Sequence, residues 1–237
     1  MPQKSKSIKS WESLMAVNLH QIKQRFYPYL QAGLSSAMSS LAQLRMKVIT
    51  DSGTSIGLRR KLFEKVIPKG GVGVELGVYK GTLSKYILSA NQPQCLHLVD
   101  PWWKYKSDWH WAIGDTSTVR SFASIVLSLQ QEISAGKVEI HINGSKEVLK
   151  SFDNGYLDWA YVDSTHAYEQ TKDELALLKD KVKPSGIIAG DDWQKDPSHR
   201  HHGVYRAVNE FLACEPTYQL IFQEGTQWAV TKSEGKN

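Results

Sequence analysis

Residues 157–193 read LDWAYVDSTHAYEQTKDELALLKDKVKPSGIIAGDDW, a strand, a helix, a turn and a second strand, with each strand ending in acid. Ala160-Tyr161-Val162 is a short apolar run that stops at Asp163, and Ile187-Ile188-Ala189 is another that stops at Gly190-Asp191-Asp192. Between them Leu175, Leu177, Leu178 and Val182 recur at roughly helical spacing, which suits a helix packed on a sheet. Pro184-Ser185-Gly186 reads as the turn into the second strand. A strand–helix–strand unit of this length makes the two strands parallel, so Asp163 and the Asp191-Asp192 pair are expected on one edge of the sheet. In open α/β sheets that carboxyl edge is where ligands bind. Three carboxylates converging there repel one another unless a cation sits between them, and an all-oxygen set suits Mg²⁺ or a similar hard ion. His166 stands three residues after Asp163, above the same edge. Taken singly, each acid also suits the N-cap of a following helix or a turn, and His166 a turn hydrogen bond. Convergence on one edge favours the ligand reading.

Working outward, the rest of the chain alternates strand and helix. Val72–Leu76, Cys95–Val99 and Val138–Ile142 read as strands. Helices are expected over 82–90, 119–133, 146–152 and 204–212, and a closing hairpin over 218–222 and 228–231. This pattern predicts an α/β fold with a doubly wound, mostly parallel sheet of seven strands and an antiparallel edge. Before it, residues 11–48 carry an apolar pattern that favours helices, interrupted near Pro28. The expected organisation is therefore a basic helical N-terminal arm and linker over 1–57 and one catalytic domain over 58–237. The arm is a candidate surface for homo-oligomer formation.

The 237-residue chain carries a net charge of +5, but residues 1–60 hold nine Lys/Arg against only Glu12 and Asp51. The remainder is slightly acidic, which argues against a nucleic-acid groove on the main domain. The two cysteines, Cys95 and Cys214, lie in apolar segments without metal-type spacing and read as buried thiols of a reducing compartment. Neither a membrane span of roughly 20 apolar residues nor a secretory signal is evident, so a cytoplasmic location is expected.

Gly73-Val74-Glu75-Leu76-Gly77-Val78-Tyr79-Lys80-Gly81 runs from a strand into a glycine turn and a helix. Gly77 and Gly81 allow a sharp turn with backbone amides facing a ligand. The turn has no room for the Gly-x-Gly-x-x-Gly of a dinucleotide site. Glu75 would repel phosphate yet could pair with a cationic ligand. Asp100, ending the second strand, stands where an acid commonly accepts hydrogen bonds from ribose hydroxyls.

VELGVYKG, LVDPW, the Asn143-Gly144-Ser145 turn, VDSTHAYE and GIIAGDDW together resemble the class I S-adenosylmethionine-dependent methyltransferases. Within these the chain looks most like the macrocin O-methyltransferase-like, sugar-methylating group, over about Leu58 to Lys232. The resemblance implies a Rossmann-like methyltransferase fold with S-adenosylmethionine held by the loop of Gly77, Val78 and Gly81. It places Glu75 near the methionine end, Asp100 on the ribose, Ser145 near the adenine and Asp163 beside the cofactor. It also implies Mg²⁺ on Asp163, Asp191 and Asp192, and His166 as general base toward a small-molecule hydroxyl. A divalent ion lowers the pKa of a bound hydroxyl, and an imidazole titrates in the range needed to take its proton.

Trp102, Trp103, Tyr105, Trp109 and Trp111 crowd the loop after the second strand and suit either stacking on a ligand or packing as a surface insertion. Asp196 to His202 follows the acid pair and could cover an acceptor pocket; its histidines match no standard zinc spacing. Two readings of other classes remain: an NAD-dependent dehydrogenase, opposed by the short turn and Glu75, and a binding or scaffold protein that kept the fold without the chemistry.

Overall fold

The computed structural model describes residues 55–102 and 116–233. The expected arm lies almost wholly outside them, as do Trp103, Tyr105, Trp109 and Trp111. In chain order the elements are α1 (Ser55–Lys65), β1 (Val72–Leu76), α2 (Thr82–Ala90), β2 (Cys95–Val99), α3 (Thr116–Ser128), α4 (Gln130–Ser134), β3 (Val138–His141), α5 (Ser145–Ser151), β4 (Leu157–Val162), α6 (Tyr168–Lys181), β5 (Val182–Gly190), α7 (His202–Cys214), β6 (Tyr218–Glu224) and β7 (Gln227–Lys232).

One seven-stranded sheet has the order β3-β2-β1-β4-β5-β7-β6. The first five strands in this order are parallel, and β7 runs antiparallel to both β5 and β6. The chain winds from β1 out to β3, then returns to β4 on the other side of β1, so the topological switch point lies between β1 and β4. The closing hairpin makes the antiparallel edge: β7 inserts beside β5, and β6 is outermost.

The central strands are apolar and almost wholly buried, as a parallel sheet covered on both faces requires. On one face Val74, Leu76, Val162 and Ile188 pack against Leu149 of α5, Leu175 and Leu178 of α6, and Val208 of α7. On the other face α1 lies against β4. Phe63 meets the Trp159 ring edge-on at 5.9 Å and the Tyr161 ring at 5.2 Å. Arg59 lies one helical turn before Phe63, on the same face of α1.

Two local expectations change. Pro184-Ser185-Gly186 is part of β5, because the register slips between Leu157↔Val182 and Trp159↔Ile187 and leaves a bulge that tolerates a residue without an N–H. Cys95 is only partly buried and Cys214, the last residue of α7, is exposed, so the apolar flanks misread both thiols. Gly73 is fixed by packing: a Cβ there would come within 2.0 Å of the Trp159 indole. Gly73→Ala is expected to lower stability by about 1–3 kcal/mol, read as a lower urea midpoint with an unchanged m value.

Candidate active site

The carboxyl edge at the switch point gathers most of the residues singled out in the sequence. Gly77 follows β1 with φ 89°. A Cβ on it would sit 2.0 Å from the Asp163 carbonyl oxygen, so glycine is what lets the β1 turn pass against the end of β4. Gly81, at φ 67°, begins α2. The loop between them is tied to β2 by Asp100. Its Oδ2 accepts from the Val78 and Tyr79 amides at 3.0 and 2.9 Å, and its Oδ1 from the Trp102 amide at 2.7 Å. A carboxylate offers about four acceptor positions, and three are filled among the described residues. Trp102 itself is a core residue: its ring packs on Phe122 and its indole N–H donates to the Tyr79 carbonyl.

Glu75 is buried on β1 and accepts a 2.6 Å hydrogen bond from the Ser84 hydroxyl. Burial, against that hydrogen bond and helped by the charge of Asp163, pushes its carboxyl up to about 8. Ser145 opens α5 with its hydroxyl donating to the buried Glu174 of α6 and accepting from Gln170. Ser164, just after β4, donates to the other Glu174 oxygen at 2.9 Å. Glu174 thus joins the ends of two elements of the edge, and the hydroxyl of Ser145, the residue expected near an adenine, is engaged inside this network.

The register Val162↔Gly190 brings Asp163 and Asp191 side by side, as the sequence predicts. The cation between them is Arg59. Its Nη2 reaches Asp163 Oδ2 at 2.8 Å, and both Nε, at 2.9 Å, and Nη2 donate to Asp191 Oδ2. Asp191 Oδ1 accepts from Gln227 Nε2 at 2.6 Å and from the Asp192 amide at 2.7 Å. Gln227 is in turn fixed by the Tyr161 hydroxyl at 2.8 Å, and the Trp228 indole N–H holds the Asp191 carbonyl.

Asp192 faces two imidazoles. Its Oδ2 pairs with His166 Nδ1 and its Oδ1 with His201 Nδ1 at 2.8 Å, while the two rings stack with centroids 4.4 Å apart. Burial would raise Asp192, but hydrogen bonding and charge from His166 and His201 outweigh it and hold the carboxyl at about 2. Burial likewise opposes protonation of His166, yet the hydrogen bond and charge of Asp192 leave its pKa raised. Asp163 is pushed up by burial and by Asp191, against the pull of Arg59.

As arranged, Asp191 has no acceptor position left for Mg²⁺. All four acceptor positions of Asp191 are filled by Arg59, Gln227 and the Asp192 amide, and both Asp192 oxygens are held by histidines. Three acids gathered around one guanidinium and a pair of imidazoles suit a ligand that carries its own positive charge, such as a sulfonium. Strain concentrates here too. Tyr79, Trp102, His166 and Asp192 all have positive φ, between 43° and 61°, a conformation that costs of order 1–3 kcal/mol per residue and collects at functional sites.

Over residues 74–193 the chain matches the family described as methyltransferase domain. It belongs to that family. With the strand order above, this makes it a class I S-adenosylmethionine-dependent methyltransferase and sets aside the dehydrogenase reading. Similar solved structures include an rRNA methylase from Clostridium thermocellum described as putative, at 14% identity and TM-score 0.54, covering 76% of this chain and 97% of that one. An rRNA methylase from Streptococcus thermophilus, at 10% identity and TM-score 0.51, covers 76% and 98%. A Corynebacterium glutamicum protein, at 12% identity and TM-score 0.54, covers 90% and 99%. At these identities the likeness is one of fold. No curated protein matches the chain. Among the described residues no helix is long and apolar enough to cross a membrane.

The raised Glu75 pKa has a readable consequence. Between its ordinary value and about 8 the native state binds a proton that the unfolded state does not, so folding loses stability as pH rises through that window. Glu75→Gln removes this titration while keeping an acceptor for Ser84. The variant is expected to gain on the wild type progressively from pH 5 to pH 8, by on the order of 2–4 kcal/mol at the upper end, in urea unfolding across that range.

Proposed function

We propose that the protein transfers the methyl group of S-adenosylmethionine to a hydroxyl of a small molecule, a sugar or glycosylated metabolite, with His166 as general base. The observation that carries the reading is the Asp192–His166 pair. Asp192 accepts from Nδ1, which sets the tautomer and makes Nε2 the basic nitrogen. Once bound, the cofactor supplies an electrophilic methyl on a positively charged sulfur. As the acceptor oxygen takes that methyl, its proton passes to His166 Nε2, and Asp192 stabilises the imidazolium. A base of this kind is needed by a hydroxyl, which must shed a proton to become nucleophilic. Stacking by His201 limits the swing of the His166 ring.

Gly77, Val78 and Gly81 form the cofactor loop in this reading. Glu75 lies below the methionine end, Asp100 offers its remaining acceptor position to the ribose, and the start of α5 at Ser145 borders the adenine. Arg59 compensates the charge of Asp163 and Asp191 where a divalent ion was expected from sequence. The slightly acidic body supports a small acceptor over a polynucleotide.

Calorimetric titration with S-adenosylhomocysteine and NAD, each with and without Mg²⁺, tests the cofactor assignment. Binding of the sulfur cofactor alone, unchanged by Mg²⁺, is expected; binding that requires Mg²⁺ would mean that the ion displaces Arg59. Once an acceptor has been found by screening hydroxylated metabolites, His166→Ala is expected to lower kcat by about 10²–10⁴ while leaving S-adenosylhomocysteine affinity unchanged. The rising limb of the pH–rate profile should lie above the ordinary histidine value and move to lower pH in Asp192→Asn. A profile indifferent to both substitutions would sink the base assignment.

A further inference from the structure

A second cluster of ligating side chains lies on β2 and β3, and the methyl transfer uses none of it. The parallel register pairs His97 with Glu139 and Val99 with His141, so His97, Glu139 and His141 project from one face of the sheet. His97 is 2% exposed, an unusual place for an imidazole in the middle of a strand, whereas Glu139 is 56% exposed and opens the cluster to solvent. His97 Nδ1 lies 3.0 Å from His141 Nε2 and 3.5 Å from Glu139 Oε2. One ligating atom from each residue falls within 4.8 Å of the other two.

These separations are those of a coordination polyhedron. Around a tetrahedral Zn²⁺ with ligands at about 2.0–2.1 Å, neighbouring donor atoms stand roughly 3.3 Å apart, and the two short distances here bracket that value. The outer nitrogen of His97 has the partner a metal-bound imidazole needs: Nε2 lies 3.0 Å from the Tyr156 hydroxyl. Phe152 packs on both histidine rings, with centroids at 4.8 and 5.9 Å, and fixes their planes. Cys95 lies 3.7 Å from the outer nitrogen of His97, on the side away from the converging donors.

We infer that His97, His141 and Glu139 form a Zn²⁺ site with a solvent-facing fourth position, and that Tyr156 orients His97 within it. Binding needs only the tautomers that place the ring protons on His97 Nε2 and His141 Nδ1. The ion would staple the edge strand β3 to β2 three residues before Asp100, whose amide donates to the His141 carbonyl at 3.2 Å. Without metal, an N–H shared between the two rings holds the same pair together.

The test uses the full chain, stripped of metal and titrated with Zn²⁺ against a chromophoric chelator, then with Co²⁺ for its visible absorption. The wild type is expected to bind one equivalent more than His141→Phe, and to show a Co²⁺ spectrum of tetrahedral intensity that this variant lacks. Glu139→Gln, at an exposed position, should fold normally and bind more weakly, and Tyr156→Phe should lose about 10–100-fold in affinity. His201→Phe controls for the histidines at the active site and should leave the β2–β3 equivalent intact. Equal stoichiometry in the wild type, His141→Phe and Glu139→Gln would overturn the assignment and leave a histidine pair joined by a proton.

Discussion

A single guanidinium lets two neighbouring strands end in acid. Asp163 and Asp191 are adjacent by register, and parallel pairing of β4 with β5 forces their charges together whatever else the chain does. Side by side in a partly dry cleft they would drive one another to bind protons. Arg59 spans both, and its planar fork satisfies the two carboxylates at once in a way a lysine could not. The arrangement depends on α1 being clamped to β4 through Phe63, so the packing of two aromatic residues and the electrostatics of the edge are one structural fact.

The fold was legible because its signals are local and repeated. Apolar runs of strand length, glycine and proline punctuation and alternating helices are read within ten residues of one another, and they predict the parallel strands whose terminal acids share one edge. The acids themselves were legible for the same reason, since their position follows from where each strand stops. The cation between them was not. Arg59 stands 104 and 132 residues from its two partners, and in sequence it merges with the basic segment before it. Its only signal is weak: it shares a helical face with Phe63, so that an arginine rides on the apolar side of an amphipathic helix. Repulsion among the acids correctly predicts a positive charge, but it does not say whether an ion or a side chain supplies it.

His201 and Gln227 mark the same limit. His201 sits in a loop whose histidines suggest metal or cover, and only the fold reveals that it stacks on His166 and shares Asp192 with it. Gln227 looks like any polar residue at the start of a strand, yet it is fully buried and links Tyr161 to Asp191. The thiols erred the other way, because apolar neighbours in sequence do not fix which side of a strand start (Cys95) or a helix end (Cys214) faces water. Local pattern predicts which element a residue belongs to; the contacts between elements decide what it does.

The edge is closed by residues from both ends of the described chain, Arg59 from α1 and Gln227 with Trp228 from β7. β7 is the last of the described strands in chain order, and it inserts beside β5 instead of adding to the outside of the sheet. A chain still emerging from the ribosome can pair its first five strands, but until residue 228 is out, Asp191 lacks the two groups that hold it from behind. The acid pair and the sheet are thus completed by one and the same strand, far in sequence from the strands that carry the acids.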